Sequence, residues 1–451
     1  MKKRFGKALS IFLTASMILA AAGCSTTESQ SSVSSGEESG TSSSSGTVAE
    51  GSTITMMASQ NWIKDIDREL IEKFKEESGI EVEIMVTPDN GYDTLLGTTL
   101  GDGSDVIDIF MYDAGTPMVS LGIPDMALDL TNEAWVDRME DWALEANTYE
   151  DKLYGFSTWG VDYEGILYNK SYFEENNLEP AETWDEFVEL CDAILALGKV
   201  PLYEPINGVW HTETWFYALT NALNKEHGSS AAAWLNESKD NKISSFATAK
   251  EGLTELAEFF GAKDENGNPK YYTNDGQAED WFGSYTALAN RDNVMMATYT
   301  AYPSELAAQG CEDEWGMFPI PVAGTDTVMS NGGGISKYVN KNSQNIDACK
   351  AYLEFLAEPE NLDAYYAART DLVTAAFKDV STVSATNATT EALERSAEEP
   401  AVRINNDMLY WDPNLYQYFQ GFADGSMTPD QFLENMDNYR ATMFDTAASA
   451  E

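Results

Sequence analysis

The chain reads as an α/β protein, and two patterns carry that reading. Over residues 52–112 strand-like and helix-like periodicities alternate in the order β-α-β-α-β, which calls for right-handed crossovers and a parallel sheet. From about Ile335 an alternating strand pattern returns and is followed by the helical run DACKAYLEFLAEPENLDAYYA. Sheet building therefore resumes late, after a long intervening region.

The first residues set an address before any fold begins. Lys2, Lys3, Arg4 and Lys7 precede an apolar run over 8–22. That run is shorter than the roughly 20 residues a spanning helix needs and has the small-residue end of an export signal. The segment ends in AAAGC, which resembles a bacterial lipoprotein signal, with Ala22 and Gly23 before the cysteine and Ala21 where Leu is usual. The resemblance implies cleavage after residue 23 and lipidation of Cys24. Residues 25–49 are mostly Ser, Thr, Gly and Glu, a coil averaging roughly 25–30 Å end to end. Residues 24–50 are thus expected to be a flexible tether.

The body begins with STITMMAS (52–59) as a strand. Next comes a helix with Ile66, Leu70 and Phe74 on one face and Gly79 as its stop, as the 3.6-residue period and C-cap preference require. IEVEIMV (80–86), YDTLLGTTL (92–100) and VIDIFMY (106–112) complete the alternation as strand, helix and strand. Ligands of such sheets sit beyond the carboxyl ends of the strands. That singles out Trp62 and Asp113. Further strands are expected near 163–169, 200–203 and 293–299. Helices are expected in TWDEFVELCDAILAL, ATAKEGLTELAEFF and around DWFGSYTALAN. TPDQFLENMDNYRATMF closes the chain as a helix, with Thr428 as N-cap and Pro429 in the first turn. KDENGNPK (263–270) has Pro269 where a calcium loop needs Gly, so it reads as a plain turn.

Composition excludes several functions. The formal net charge is −48, from 75 acids and 27 bases, a surface that repels nucleic acid and anionic lipid headgroups and suits a neutral ligand. Beyond Cys24 the cysteines are Cys191, Cys311 and Cys349, widely spaced and without a CxxC; they read as free thiols, buried where the pattern is helical. Only His211 and His227 are present, which leaves no basis for a histidine-based triad or a multi-histidine metal site. No HExxH, GxSxG, GxxxxGK or GxGxxG occurs. No metal, no cofactor and no catalytic residue is expected. Paired carboxylates of a glycoside hydrolase are the one enzymatic alternative that remains open.

The run DKLYGFSTWGVDYEGILYNKSYFEENNLEPAETWDEF (151–187) resembles the extracellular solute-binding proteins (family 1) of carbohydrate ABC importers, the group that includes maltose-binding protein. DIFMYDAG, NVMMATYTAYPSEL, WGMFPIPV and NGGGISKYVNKNS support it in the same order. The resemblance implies a two-lobed periplasmic-binding-protein-like (class II) fold closing on a sugar at a hinge. Mapped here, the first lobe would be 52–158 plus 330–370 and the second 163–318 plus 372–445. Hinge strands would lie near 156–163, 319–331 and 368–374. It also implies carbohydrate as ligand, ABC permease subunits as partners and a monomer. The membrane would be met only through the lipid, at the outer face of the bacterial cytoplasmic membrane.

The loop VPLYEPINGVWHTETW (200–215) supplies what a sugar needs. An aromatic ring covers the apolar face of a pyranose, removing roughly 60–80 Å² from water, worth about 2 kcal/mol gross. Carboxylates and amides bond the hydroxyl rim. Trp210 and Trp215 are the expected stacking rings, with Glu204, Asn207 and His211 at the rim. By the resemblance Trp62, Asp113, Trp159, Asp162, Glu164, Tyr302 and Trp411 join them, each balanced against ordinary packing or capping. Trp411, in MLYWDPNLYQYF, matches a family stacking residue. A secreted carbohydrate-active enzyme and a solute sensor of the same fold are the rival readings.

Overall fold

Two sheets organise the structure, a computed structural model describing residues 51–60, 62–88, 91–100, 105–206, 211–273, 283–369, 372, 374–380 and 386–450. The signal, Cys24 and the tether lie outside the described residues, as do Asn207 and Trp210. The strands in chain order are β1 (Thr53–Ser59), β2 (Glu81–Thr87), β3 (Ile109–Asp113), β4 (Thr148–Tyr149), β5 (Lys152–Leu153), β6 (Gly155–Ser157) and β7 (Tyr163–Asn169). Then come β8 (Val200–Tyr203), β9 (Tyr272–Thr273), β10 (Asn293–Tyr299), β11 (Trp315–Phe318), β12 (Met329–Ser330), β13 (Ile335–Val339) and β14 (Ala401–Val402).

The first sheet runs β2-β1-β3-β13-β6. β1 pairs in parallel with β2 and β3, as the early alternation predicts. β13 arrives from far along the chain and lies antiparallel to both β3 and β6. The strands β1, β3 and β13 are buried nearly end to end, a run of apolar residues expected when helices cover both faces of a sheet. The helix Asp65–Ser78 lays Ile66, Leu70, Ile71 and Phe74 on one face, and Gly79 ends it in the left-handed conformation. Phe74 meets Tyr352 and Phe355 of the helix Ile346–Leu356.

The second sheet runs β14-β12-β7-β10-β8-β9, with β11 also on β7. Its core gathers Phe187, Trp215, Phe216, Phe259, Phe260, Phe419 and Phe432 from helices distant in sequence. Thr183 caps the helix Trp184–Ala196 in a reciprocal box with Glu186. Thr428 does the same duty before the closing helix Pro429–Ala450, accepting from the N–H of Gln431 at 3.3 Å.

The lobes therefore differ from the expected boundaries in two places. Residues 322–330, left outside the expected second lobe, hold β12 in its sheet, with Val322 and Met329 in its core. Leu372 and residues 374–380, expected in the second lobe, pack in the first through Leu372, Ala376 and Phe377. The reason is the pairing of Met139 with Phe377 and the seating of Phe377 on Phe156. Asp264 accepts from the N–H groups of Asn266 and Asn268 at 2.9 and 2.8 Å, so KDENGNPK is a hydrogen-bonded turn. Among the described residues no helix is long and apolar enough to cross a membrane, and no group of three or more His, Cys, Asp or Glu is placed to hold a metal ion.

Candidate functional site

Chain segments 158–162 and 331–334 cross from one sheet to the other, and they run side by side. The N–H of Asn331 donates to the carbonyl of Asp162 at 3.1 Å, and the N–H of Asp162 donates to Asn331 Oδ1 at 3.1 Å. Gly332, Gly333 and Gly334 have φ of 69°, 132° and 59°, the left-handed region in which a side chain is strained. A Cβ on Gly332 would also stand 2.6 Å from Val402. The run NGGG thus exists because this passage is both left-handed and crowded.

Around it the two lobes contribute different groups. From the first lobe β3 ends on Asp113, and the short helix Thr116–Ser120 follows. Burial pushes the Asp113 carboxyl up to about 6; the Arg403 charge works against that rise and Asp93 adds to it. From the second lobe β14 leads directly into Arg403 and the helix Ile404–Asp407. The Arg403 N–H donates to the Ser330 carbonyl at 2.8 Å, fixing the residue beside the crossing. Its Nε donates to Asn406 Oδ1 at 3.1 Å and its Nη1 to Glu164 Oε1 at 2.9 Å. The guanidinium lies 5.3 Å from the centre of the Tyr217 ring.

Tyr217 leads to the aromatic part. Its hydroxyl donates to Glu213 Oε2 at 2.6 Å, and the Trp411 indole N–H donates to the same oxygen at 2.7 Å. Burial pushes Glu213 up to about 7, opposed by those two bonds and by Arg403, and helped by Asp412. Trp411 is half-buried, its ring 5.8 Å from Phe216 and 5.6 Å from Tyr217. Carboxylates of both lobes, one guanidinium and a partly open indole thus share this region.

The lobes also touch here. Thr116 donates its hydroxyl to the Asn406 carbonyl, and the carbonyls of Asn405 and Met408 stand 3.3 Å away. The amide of Asn406 donates in turn to the Asn331 carbonyl. Asn406 therefore links Arg403, the glycine crossing and the first lobe.

The expected residues divide clearly. Asp113, Glu164 and Trp411 belong to this cluster. Trp159 is half-buried next to Gly334, with the Arg369 guanidinium 4.6 Å from its ring. Trp62 is half-buried at the end of β1, edge-on to Tyr92 at 4.9 Å. Trp215 and Tyr302 need correction as stacking rings, because both are fully buried in their lobe. Trp215 is enclosed by Phe187, Phe259 and Phe260, and Tyr302 lies against Tyr285 and Tyr299. Glu204 and His211 are corrected likewise. Glu204 is wholly buried, accepts the Trp215 indole N–H at 2.8 Å and stands 2.8 Å from His211 Nδ1. It staples the loop to its own lobe. Asp162 is also turned inward: it accepts from the Thr300 hydroxyl and the N–H of Tyr163 and Ala301, while burial pushes it up to about 7.

Sequence reasoning missed Arg403, Glu213, Tyr217, Thr116 and Asn406. Glu213 stands inside the loop at 200–215, two residues from Trp215, and nothing in the local sequence distinguishes it from Glu204. Arg403 lies between a two-residue strand and a four-residue helix, lengths too short to leave a periodic signal.

Comparison with known proteins adds a family to this geometry. Residues 60–363 match the family described as bacterial extracellular solute-binding protein. The chain is 24% identical over 323 residues to the multiple sugar-binding protein of Streptococcus mutans, covering 68% of this chain and 72% of that one. It is 25% identical over 315 residues to a probable amino-acid ABC transporter periplasmic-binding protein of Sinorhizobium fredii, covering 64% of each. Among solved structures, SBP RafE in complex with raffinose superposes with a TM-score of 0.69 at 19% identity, over 87% of this chain and 99% of that one.

Proposed function

The chain belongs to the bacterial extracellular solute-binding proteins, and we propose that its solute is a neutral carbohydrate, an oligosaccharide, held at the lobe junction and passed to an ABC permease. The observation that carries this reading is the half-buried Trp411 indole, oriented by Glu213 beside Arg403, Glu164 and Asp113. A ring of that kind covers the C–H face of a pyranose, and charged groups at its edge bond the hydroxyl rim. The similarity to a sugar-binding protein of Streptococcus mutans supports the same solute class.

Trp62, Asp113, Trp159, Glu164 and Trp411 are the ligand residues of this reading, and Asn207 and Trp210 are those expected from the loop outside the described residues. The mechanism is binding: a ligand that touches both lobes favours the closed form by its differential affinity for it. Cys24 carries the lipid, the tether lets the body range near the membrane, and the body acts as a monomer.

The test is a tryptophan-fluorescence titration of the mature chain against raffinose, maltotriose, xylotriose and chitotriose, with free amino acids in the same series. Saturation by one glycan class without hydrolysis products supports the receptor. Saturation by an amino acid alone overturns the carbohydrate reading in favour of the solute named for the Sinorhizobium relative. Release of shorter sugars overturns binding without chemistry.

A further inference from the structure

Arg403 is held as a binding group is held, with part of its donor set unspent. Nε is committed to Asn406 and one Nη1 hydrogen to Glu164. Among the described residues Nη2 meets no hydrogen-bond acceptor. The side chain keeps 17% of its surface, whereas its partner Glu164 keeps 6%. Glu164 Oε2 is buried and likewise without a partner among the described residues. An arginine has five N–H donors in a rigid fork, so a guanidinium fixed on one side presents the other side at a defined angle. Burying an ionised pair at a lobe junction costs stability unless its remaining donors and acceptors are met.

We propose that Arg403 is a ligand-binding and specificity-determining residue, donating from Nη2 to an uncharged oxygen, a hydroxyl or ring oxygen, of the bound sugar. The inference rests on the carbohydrate reading above. Position supports it: the Arg403 backbone is bonded to Ser330 at the end of the crossing, and Asn406 ties the same short helix to Thr116 of the other lobe. Charge then selects the acceptor. Arg403 is already paired with Glu164, and Asp113 from the first lobe and Glu213 from its own lobe both lie within its electrostatic reach. At pH 8, where Asp113 and Glu213 are both ionised despite their burial, three carboxylates around one cation leave a negative site, which penalises a sugar carboxylate.

The experiment measures Kd by tryptophan fluorescence for the mature wild-type chain, R403K and R403M. Each is titrated with whichever neutral oligosaccharide of the panel saturates the wild type and with its uronic-acid counterpart. R403M is expected to weaken the neutral sugar at least tenfold. R403K, which keeps the charge but loses the fork, should fall between. The wild type should bind the uronate at least tenfold more weakly than the neutral sugar. Variants that bind the neutral sugar within twofold of wild type overturn the assignment while leaving the carbohydrate reading intact. A uronate that binds more tightly than the neutral sugar overturns the choice of an uncharged acceptor. A wild type that binds no glycan overturns the carbohydrate reading itself, and this inference with it. If neither variant folds, the guanidinium ¹⁵N resonances of the wild type decide: a shift for Arg403 on saturation supports the contact, and its absence overturns it.

Discussion

Replacing Glu213 with Gln should make the protein more stable at pH 8 and leave it unchanged at pH 4. Glu213 is buried, and that burial pushes its carboxyl from 4.5 to about 7. A raised carboxyl means that the folded state binds the proton more tightly than the unfolded chain. Below about 4.5 both states are protonated, and folding gains the most from this group. As pH rises from about 4.5 to about 7 the unfolded chain releases the proton first, so stability falls; above about 7 the loss is complete. One pKa unit corresponds to about 1.4 kcal/mol, so the full loss is about 3 kcal/mol. Gln imitates the protonated acid: its oxygen still accepts from Tyr217 and Trp411. The difference between E213Q and wild type should therefore grow from near zero at pH 4 to about 3 kcal/mol in favour of the variant at pH 8. Asp162, Asp113 and Asp407 are also raised by burial and slope the same way, but they are common to both proteins and cancel. Urea unfolding followed by far-UV circular dichroism across this range measures the difference. Parallel curves, or a variant weaker than wild type at pH 8, would show that the Glu213 carboxylate is well solvated or fully compensated by Arg403.

Other perturbations probe the packing, the stacking and the contact between lobes. Trp215→Ala empties a fully buried site and strips Glu204 of an indole donor; it should cost about 3–5 kcal/mol in urea unfolding, whereas a purely ligand-stacking ring would cost far less. Trp411→Ala should raise the Kd for the oligosaccharide about tenfold, the net of about 2 kcal/mol of gross stacking area and the cost of ordering on binding; unchanged affinity in a folded variant would remove Trp411 from the site. Thr116→Ala removes the hydroxyl bonded to Asn406 across the lobes and should favour the open form by about 1 kcal/mol, seen as a larger radius of gyration in small-angle scattering without ligand. Gly332→Ala meets both a left-handed φ of 69° and Val402 at 2.6 Å, and should lower stability by about 1–3 kcal/mol in the same unfolding assay.

How legible the site was depended on the range over which each residue is decided. The loop at 200–215 advertised its aromatic and acidic content, but not which rings would turn inward. Trp215 follows Glu204 by 11 positions, and that bond closes the loop on its own lobe. Trp411 reads much the same in sequence, yet its partner Glu213 is 198 positions away. The same composition therefore yields a core ring in one case and a partly open ring in the other.

Local periodicity was enough for β1, β2, β3, the helices between them and the closing helix, because period and capping act within a few turns of chain. It did not suffice for the crossing, since three consecutive glycines fit a bare turn as well as a hinge; the pairing of Asn331 with Asp162, 169 positions apart, decided it. The pairing of Arg403 with Glu164 spans 239 positions and that of Thr116 with Asn406 spans 290. Such contacts exist only once both sheets have formed and the chain has passed between them. The chain's own pattern thus determined the elements, while the junction and the groups meeting there were settled by long-range packing, in which burial and pairing are decided by neighbours hundreds of residues away.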